Sequence, residues 1–184
     1  MYTPTLEEAR KLMEEHNQEP FHRHHAEVVS GVMGYFAKEY DPENEEFWRS
    51  VGMLHDLDFE EFPEEHCIKE QEWLEAMDFN PAMTRAICGH GWGLVPTPFK
   101  PESTMEKLLF ATDELTGLIG ACALMRPSKS CSDMELKSLK KKYKDKRFAA
   151  GCSREVIETG AEMLGWELDD LLQKTLDAMK SLEE

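Results

Sequence analysis

A chain of 184 residues with a 41% hydrophobic share is long enough for one domain with a full core, and its composition argues against disorder. No uninterrupted apolar run approaches the roughly 20 residues that cross a bilayer. Asp and Glu outnumber Lys and Arg by 37 to 21, a net charge of −16, and such a surface repels a phosphate backbone; neither a nucleic-acid polymer nor a membrane is an expected partner.

Helical periodicity runs through the whole chain, and nothing reads as a series of strands. Thr5-Leu6-Glu7-Glu8 is a capping box that opens a first helix to about Asn17. A second helix spans about Phe21 to Tyr40 and stops before Asp41-Pro42. The third is predicted from about Glu43 to His55, and the fourth from near His66 to near Met77. Asn80 caps a short fifth helix with Pro81 at its first position, and a Pro/Gly-rich loop, GWGLVPTPFKP, follows His90. Ser103 and Glu106 form a second capping box, opening a long apolar helix to about Met125. Ser132 and Glu135 have the spacing of a third box, ahead of a basic helix. The last two helices start near Ser153 and Glu167, with Gly165 as the stop between them. The expected product is a single all-α domain over 1–184.

The opening segment MYTPTLEEARKLMEEHN is charged, lacks a secretory apolar region and reads as mature protein. Five cysteines (Cys67, Cys88, Cys122, Cys131, Cys152) lie scattered without a CxxC pair, as expected of buried free thiols in a cytoplasmic protein.

The histidines carry more information. At 100° per residue His25 falls on the stripe of Val28, Val29, Val32 and Phe36, and His55 lines up with Trp48, Val51 and Gly52. His66 is expected to share a face with Trp73 and Met77, and His90 one with Met83, Ala86 and Ile87. Inward-facing histidines must satisfy two ring nitrogens each, and a shared metal would do so together. His16 also sits on an apolar stripe and is assigned no role. Asp113 occurs in LLFATDELTGLIGACAL, a helix apolar around most of its circumference, where a carboxylate needs a cation, donors or a proton. Gly117 and Gly120 beside it would let another helix or a ligand approach. Mixed N/O ligation suits Mn, Fe, Ni, Mg or Zn without choosing among them. A ferritin-like di-iron bundle needs two Glu-x-x-His pairs, and only Glu19-Pro20-Phe21-His22 has that spacing, at a helix start.

In order along the chain, His25 in HHAEVV, the doublet in MLHDLD and Asp113 in FATDELTGLI resemble the H…HD…D signature of HD-superfamily phosphohydrolases. His66 in PEEHCIKEQEWL and His90 in AICGHGWG resemble the two further histidines of the H…HD…H…H…D subgroup. The resemblance covers about residues 20–125, with 126–184 a helical elaboration. It implies an all-α bundle in which His25, His55, Asp56 and Asp113 bind a primary metal, and His66 and His90 bind a second metal or a substrate phosphate. One or two divalent ions per chain are implied, with Asp56 bridging in the dinuclear case and Asp56 and Asp113 as the catalytic carboxylates. Two departures are that Leu57 and Asp58 follow the doublet where many dinuclear members have a glycine, and that Gly91 follows His90 where they tend to have a second histidine. Asp58 is open to three roles, a further ligand, a residue that supports a ligand or a cap of the loop, and the last two are favoured.

The activity implied is metal-assisted hydrolysis of a small phosphorylated molecule, a nucleotide among the candidates. The alternative is a metal- and nucleotide-binding sensor of the same fold without turnover. Residues Arg126 to Arg154 form the one concentrated basic stretch. Arg126 and Lys129 are expected to contact substrate phosphate at the mouth of the site, with Lys142, Lys146 and Arg154 behind them. Self-association into a homo-oligomer is left open.

Overall fold

Two of the three capping boxes form. In the computed structural model, which describes all 184 residues, the Glu8 N–H donates to Thr5 Oγ1 at 3.2 Å and the Thr5 N–H to Glu8 Oε2 at 2.9 Å. The same reciprocal pair joins Ser103 and Glu106 at 3.1 and 2.8 Å. The third box does not form. Ser132 is engaged by Ser130 instead, and the basic helix begins at Leu136 with Glu135 as an N-cap that makes no side-chain bond. Serines in a turn satisfy one another locally, so they no longer compete for the helix start.

The nine helices are α1 (Leu6–His16), α2 (Pro20–Tyr40), α3 (Glu45–Leu54), α4 (Ile68–Ala76), α5 (Pro81–Gly89), α6 (Thr104–Leu124), α7 (Leu136–Lys144), α8 (Arg154–Leu164) and α9 (Leu168–Ser181). Single 3-10 turns at Pro42–Asn44 and Pro63–Glu65 precede α3 and α4. Extended backbone pairs only at the isolated bridge between Tyr2 and Phe79, so the fold is all-α as the periodicity predicts. The helix predicted to start at His66 starts at Ile68, because Cys67 takes a left-handed conformation, φ +69°, that breaks the helical run.

Helix α2 is the spine. It packs most extensively on α3 and also meets α6 and α9, while α8 lies along α6 and α1 along α3. Two contacts are close enough to need glycine. A Cβ at Gly52 of α3 would lie 2.9 Å from Ser30 Cα in α2, and one at Gly160 of α8 would lie 2.5 Å from Ala111 Cα in α6. The predicted close approach at Gly117 and Gly120 is looser: a Cβ at Gly117 would meet only Cys152 Sγ at 3.4 Å, and one at Gly120 nothing within 4 Å. Arg85 of α5 reaches Glu106 of α6 at 2.9 Å and ties together the helices that carry His90 and Asp113. A continuous apolar cluster runs from Ala9 and Met13 through Val32, Leu54, Ile87 and Leu115 to Leu139, Ile157 and Leu176, so the helices after residue 125 share the core of those before it.

Candidate metal centre

Four helices and the segment between α3 and α4 deliver the six expected donors to one place. His25 projects from the middle of α2 and Asp113 from the middle of α6, while His55 caps α3 and His90 caps α5. Both capping histidines use the same local device. The Nδ1–H of His55 donates to Gly52 O at 2.7 Å, and that of His90 to Ile87 O at 2.5 Å. Each bond fixes the tautomer and leaves the Nε2 lone pair facing inward. Two helix C-termini, each with partial negative charge, point at the same spot.

His25 Nε2 and His55 Nε2 lie 3.1 Å apart, and Asp113 Oδ1 is 3.0 and 3.1 Å from them. Asp56 Oδ2 closes the set at 3.2 Å from His55 and 3.5 Å from His25. The other oxygen of Asp56 faces the second pair, 3.2 Å from His66 Nε2 and 3.3 Å from His90 Nε2, which are 3.0 Å from each other. Asp56 thus spans the two groups of histidines. The four groups of the first set can hold one metal ion.

The donor chemistry fits a cation. With the Nδ1 protons of His55, His66 and His90 engaged at carbonyl and carboxylate oxygens, their Nε2 atoms are acceptors, and with His25 Nε2 they face one another and two carboxylates at contact distance. Only protons or a metal can relieve that arrangement. Without an ion, protons take the role. Burial lowers the His55 pKa, but Asp56 and Asp113 outweigh it and hold it well above the ordinary value. Burial likewise acts to raise the Asp56 and Asp113 carboxyls, and the facing histidines, His55 foremost, pull both well below the usual carboxylate range.

Exposure gives the centre a direction. The His55 side chain is sealed at 0% and His90 is 3% exposed, whereas His25, Asp56 and Asp113 are 21, 25 and 17% exposed. The centre is therefore open to solvent along the edge formed by those three. Phe59 stands beside this region, 40% exposed and edge-on to His66 at 5.2 Å.

Of the roles open to Asp58, it fills both support of a histidine and capping of the loop. It is buried, takes the His66 Nδ1 proton at 2.6 Å and accepts the Glu70 N–H at the start of α4 at 2.9 Å. His66 itself does not lie on the α4 face with Trp73, because it precedes the helix; Trp73 stacks on His16 at 4.5 Å instead. His16 is bonded to Glu61 and His22 to Glu60, so neither joins the centre.

Arg126 and Lys129 are not brought to the site. From Asp113 to the end of α6 at Leu124 is about 17 Å along the axis, and both residues lie beyond it. Arg126 is held by Asp133 at 3.0 Å, and Lys129 Nζ donates to Leu124 O at 3.0 Å, capping the helix. Two of the further candidates are engaged within the stretch itself, although Arg154 follows Ser153, whose backbone bonds Glu114 beside Asp113. Lys142 lies over the Phe148 ring and Arg154 donates to the carbonyls of Asp145, Phe148, Ala149 and Cys152. A surface cavity of about 330 Å³ lined by Arg126, Lys141 and Lys142, and another of about 450 Å³ beside Tyr40 and Trp48, contain none of the six donors.

Three neighbours of the centre escape sequence reasoning. Glu114, next to Asp113, is pushed up to about 7 by burial and by the Asp113 charge. Burial likewise pushes the Cys67 thiol up to about 12. Glu70 is completely buried and neither of its carboxylate oxygens has a hydrogen-bond partner. Periodicity assigns Cys67 and Glu70 no role, but their spacing after His66, H-C-x-x-E, places them one helical turn apart. That spacing is the signal that could have found them.

No family model, curated protein or solved structure matches this chain.

Proposed function

We propose that the protein is a metal-dependent phosphohydrolase of the HD type, acting on a small phosphorylated molecule such as a nucleotide. The observation that carries this reading is the convergence of His25, His55, Asp56 and Asp113 from three helices, in the chain order of the H…HD…D signature. A divalent ion held there supplies acidification of water and polarisation of a phosphoryl oxygen. The residues do the rest. Gly52 O and Ile87 O hold the imidazoles of His55 and His90 in the tautomer that presents Nε2. Asp58 orients His66 through Nδ1, and Asp113 and Asp56 keep carboxylate oxygens on the exposed edge, where a substrate enters. His66 and His90 sit on the far side of Asp56, in reach of a second ion or a phosphate.

The test is metal analysis of protein purified without chelator, followed by a screen of phosphorylated metabolites with and without added Mn, Fe, Ni, Mg or Zn. The expected result is bound metal and metal-dependent phosphate release from one class of compound. Protein that binds no metal overturns the proposal. One observation favours a second reading: Arg126 and Lys129 are engaged by their own loop, so neither is free to stabilise a transferring phosphoryl group. On that reading the protein binds metal and a phosphorylated ligand as a sensor. Metal-loaded protein that binds nucleotide and releases no phosphate from any compound selects it.

A further inference from the structure

Behind His66 and His90 lies a second group of donors that the first set does not use. Cys67 Sγ, a carboxylate oxygen of Glu70 and one nitrogen each from His66 and His90 all fall within 4.8 Å of one another. The Nδ1 atoms of both histidines are occupied by Asp58 and Ile87 O, which leaves the Nε2 atoms, the pair that also faces Asp56 Oδ1 at 3.2 and 3.3 Å, as the nitrogens to ligate. Glu70 is the independent pointer to a ligand. Its carboxylate is 0% exposed, both oxygens lack partners, and its nearest charged neighbours include the Asp58 carboxylate. A buried carboxylate with no donor is strongly disfavoured, and even as a neutral acid its O–H would go unused. The backbone is shaped around the thiol. Cys67 is held at φ +69° immediately before α4, and its side chain makes no cap bond to that helix. Across from it, a Cβ at Gly91 would lie 2.8 Å from Cys67 Sγ and press on the Val95 side chain.

We propose that His66, Cys67, Glu70 and His90 form a thiolate-containing second metal site, selective for zinc over magnesium or manganese. Two imidazoles, one thiolate and one carboxylate are a tetrahedral zinc donor set, and the thiolate disfavours hard oxygen-seeking ions. Ligation expels the thiol proton to solvent and gives both the thiolate and the Glu70 carboxylate a cationic partner. The centre would then be chemically unequal, with an N/O site at its exposed edge and an N/S/O site sealed behind it. This deepens the metal-centre reading and rests on it.

The test uses full-length protein loaded with Co(II) in place of zinc. A thiolate-to-cobalt charge-transfer band in the near ultraviolet reports Cys67 directly, alongside zinc content by mass spectrometry. Wild-type protein is expected to show the band. Cys67→Ser should lose it, and Glu70→Gln should keep it while weakening the second ion about tenfold or more. Both variants should keep the first ion and wild-type helicity by circular dichroism. Asp113→Ala should lose the first ion and retain the band. Wild-type protein that binds metal without any band overturns this site and leaves the first one standing. A band that survives Cys67→Ser, or unchanged second-ion affinity in Glu70→Gln, overturns it equally. Protein that binds no metal at all overturns both readings together.

Discussion

Asp113 is pulled in two directions: burial among apolar side chains favours its neutral form, and the imidazoles of His55 and His25 favour the charged one and prevail. Removing its charge without changing its volume separates ligand loss from cavity formation. Asp113→Asn is expected to abolish the first ion and to destabilise the metal-free protein by about 3 kcal/mol, since two imidazoles lose the carboxylate they share. Metal content and urea unfolding at neutral pH measure the two effects, and a variant with wild-type metal content would remove Asp113 from the ligand set. The next residue behaves oppositely. Glu114 has its folded pKa raised to about 7, so the native state holds its proton more tightly than the unfolded chain does. That costs stability as pH rises from about 4.5 to 7, and the loss persists above. Glu114→Gln should therefore stabilise the metal-free protein at pH 8 by about 2 kcal/mol, after allowance for its partial exposure, and change nothing at pH 4. Equal effects at both pH values would refute the burial argument. The two residues also show what a sequence can reveal. Asp113 stood out because a carboxylate interrupted an apolar wheel. Glu114, Cys67 and Glu70 did not, because their burial comes from the packing of α8, α4 and the loop after α5, which no single helix wheel contains.

At the scale of the helix, the centre depends on how closely α3 lies on α2, and Gly52 sets that distance one turn before His55. Gly52→Ala would place a Cβ 2.9 Å from both Ser30 Cα and Val29 O, backbone atoms that cannot swing aside. The expected cost is about 2 kcal/mol of stability, together with weaker metal binding as His55 and Asp56 are displaced. Gly120→Ala is the internal control. A Cβ there meets nothing within 4 Å, so removing glycine's backbone entropy should stabilise the protein by about 0.5–1 kcal/mol and leave metal binding unchanged. Thermal unfolding of the two variants with and without metal checks the pair, and similar behaviour would mean that the α2–α3 spacing does not govern the site. Helix existence and most starts were legible in the sequence because capping boxes and prolines act within a single turn. The starts that were missed have tertiary or turn-local causes. The histidine at 66 looked helical, but Asp58 draws its ring and its own side-chain bonds begin α4 two residues later. The serines at 130 and 132 consumed each other's capping capacity.

Over the whole molecule, a net charge of −16, with Arg126 and Lys129 held beyond the end of α6, leaves the centre in a predominantly negative field. Such a field concentrates cations, including protons, and the two compete for the same lone pairs. The competition fixes a pH dependence. The raised His55 pKa contributes stability that is complete below about pH 6.5 and is lost as pH climbs toward the folded value. The depressed Asp56 and Asp113 values contribute stability present above about pH 4 and lost as pH falls further. Metal-free protein should accordingly be most stable between about pH 4 and 6.5 and soften toward alkaline pH. Metal binding requires the imidazoles to be deprotonated, so its affinity moves the other way and rises with pH. The melting temperature gained on adding the ion should be small near pH 5 and grow steadily toward pH 8, as metal takes over the partners that protons relinquish. Scanning fluorimetry of chelator-treated and metal-loaded protein across that range reads the difference directly. A gain that stays flat, or shrinks with rising pH, would mean that the converging imidazoles and carboxylates are held together by their own protons and that metal binds elsewhere.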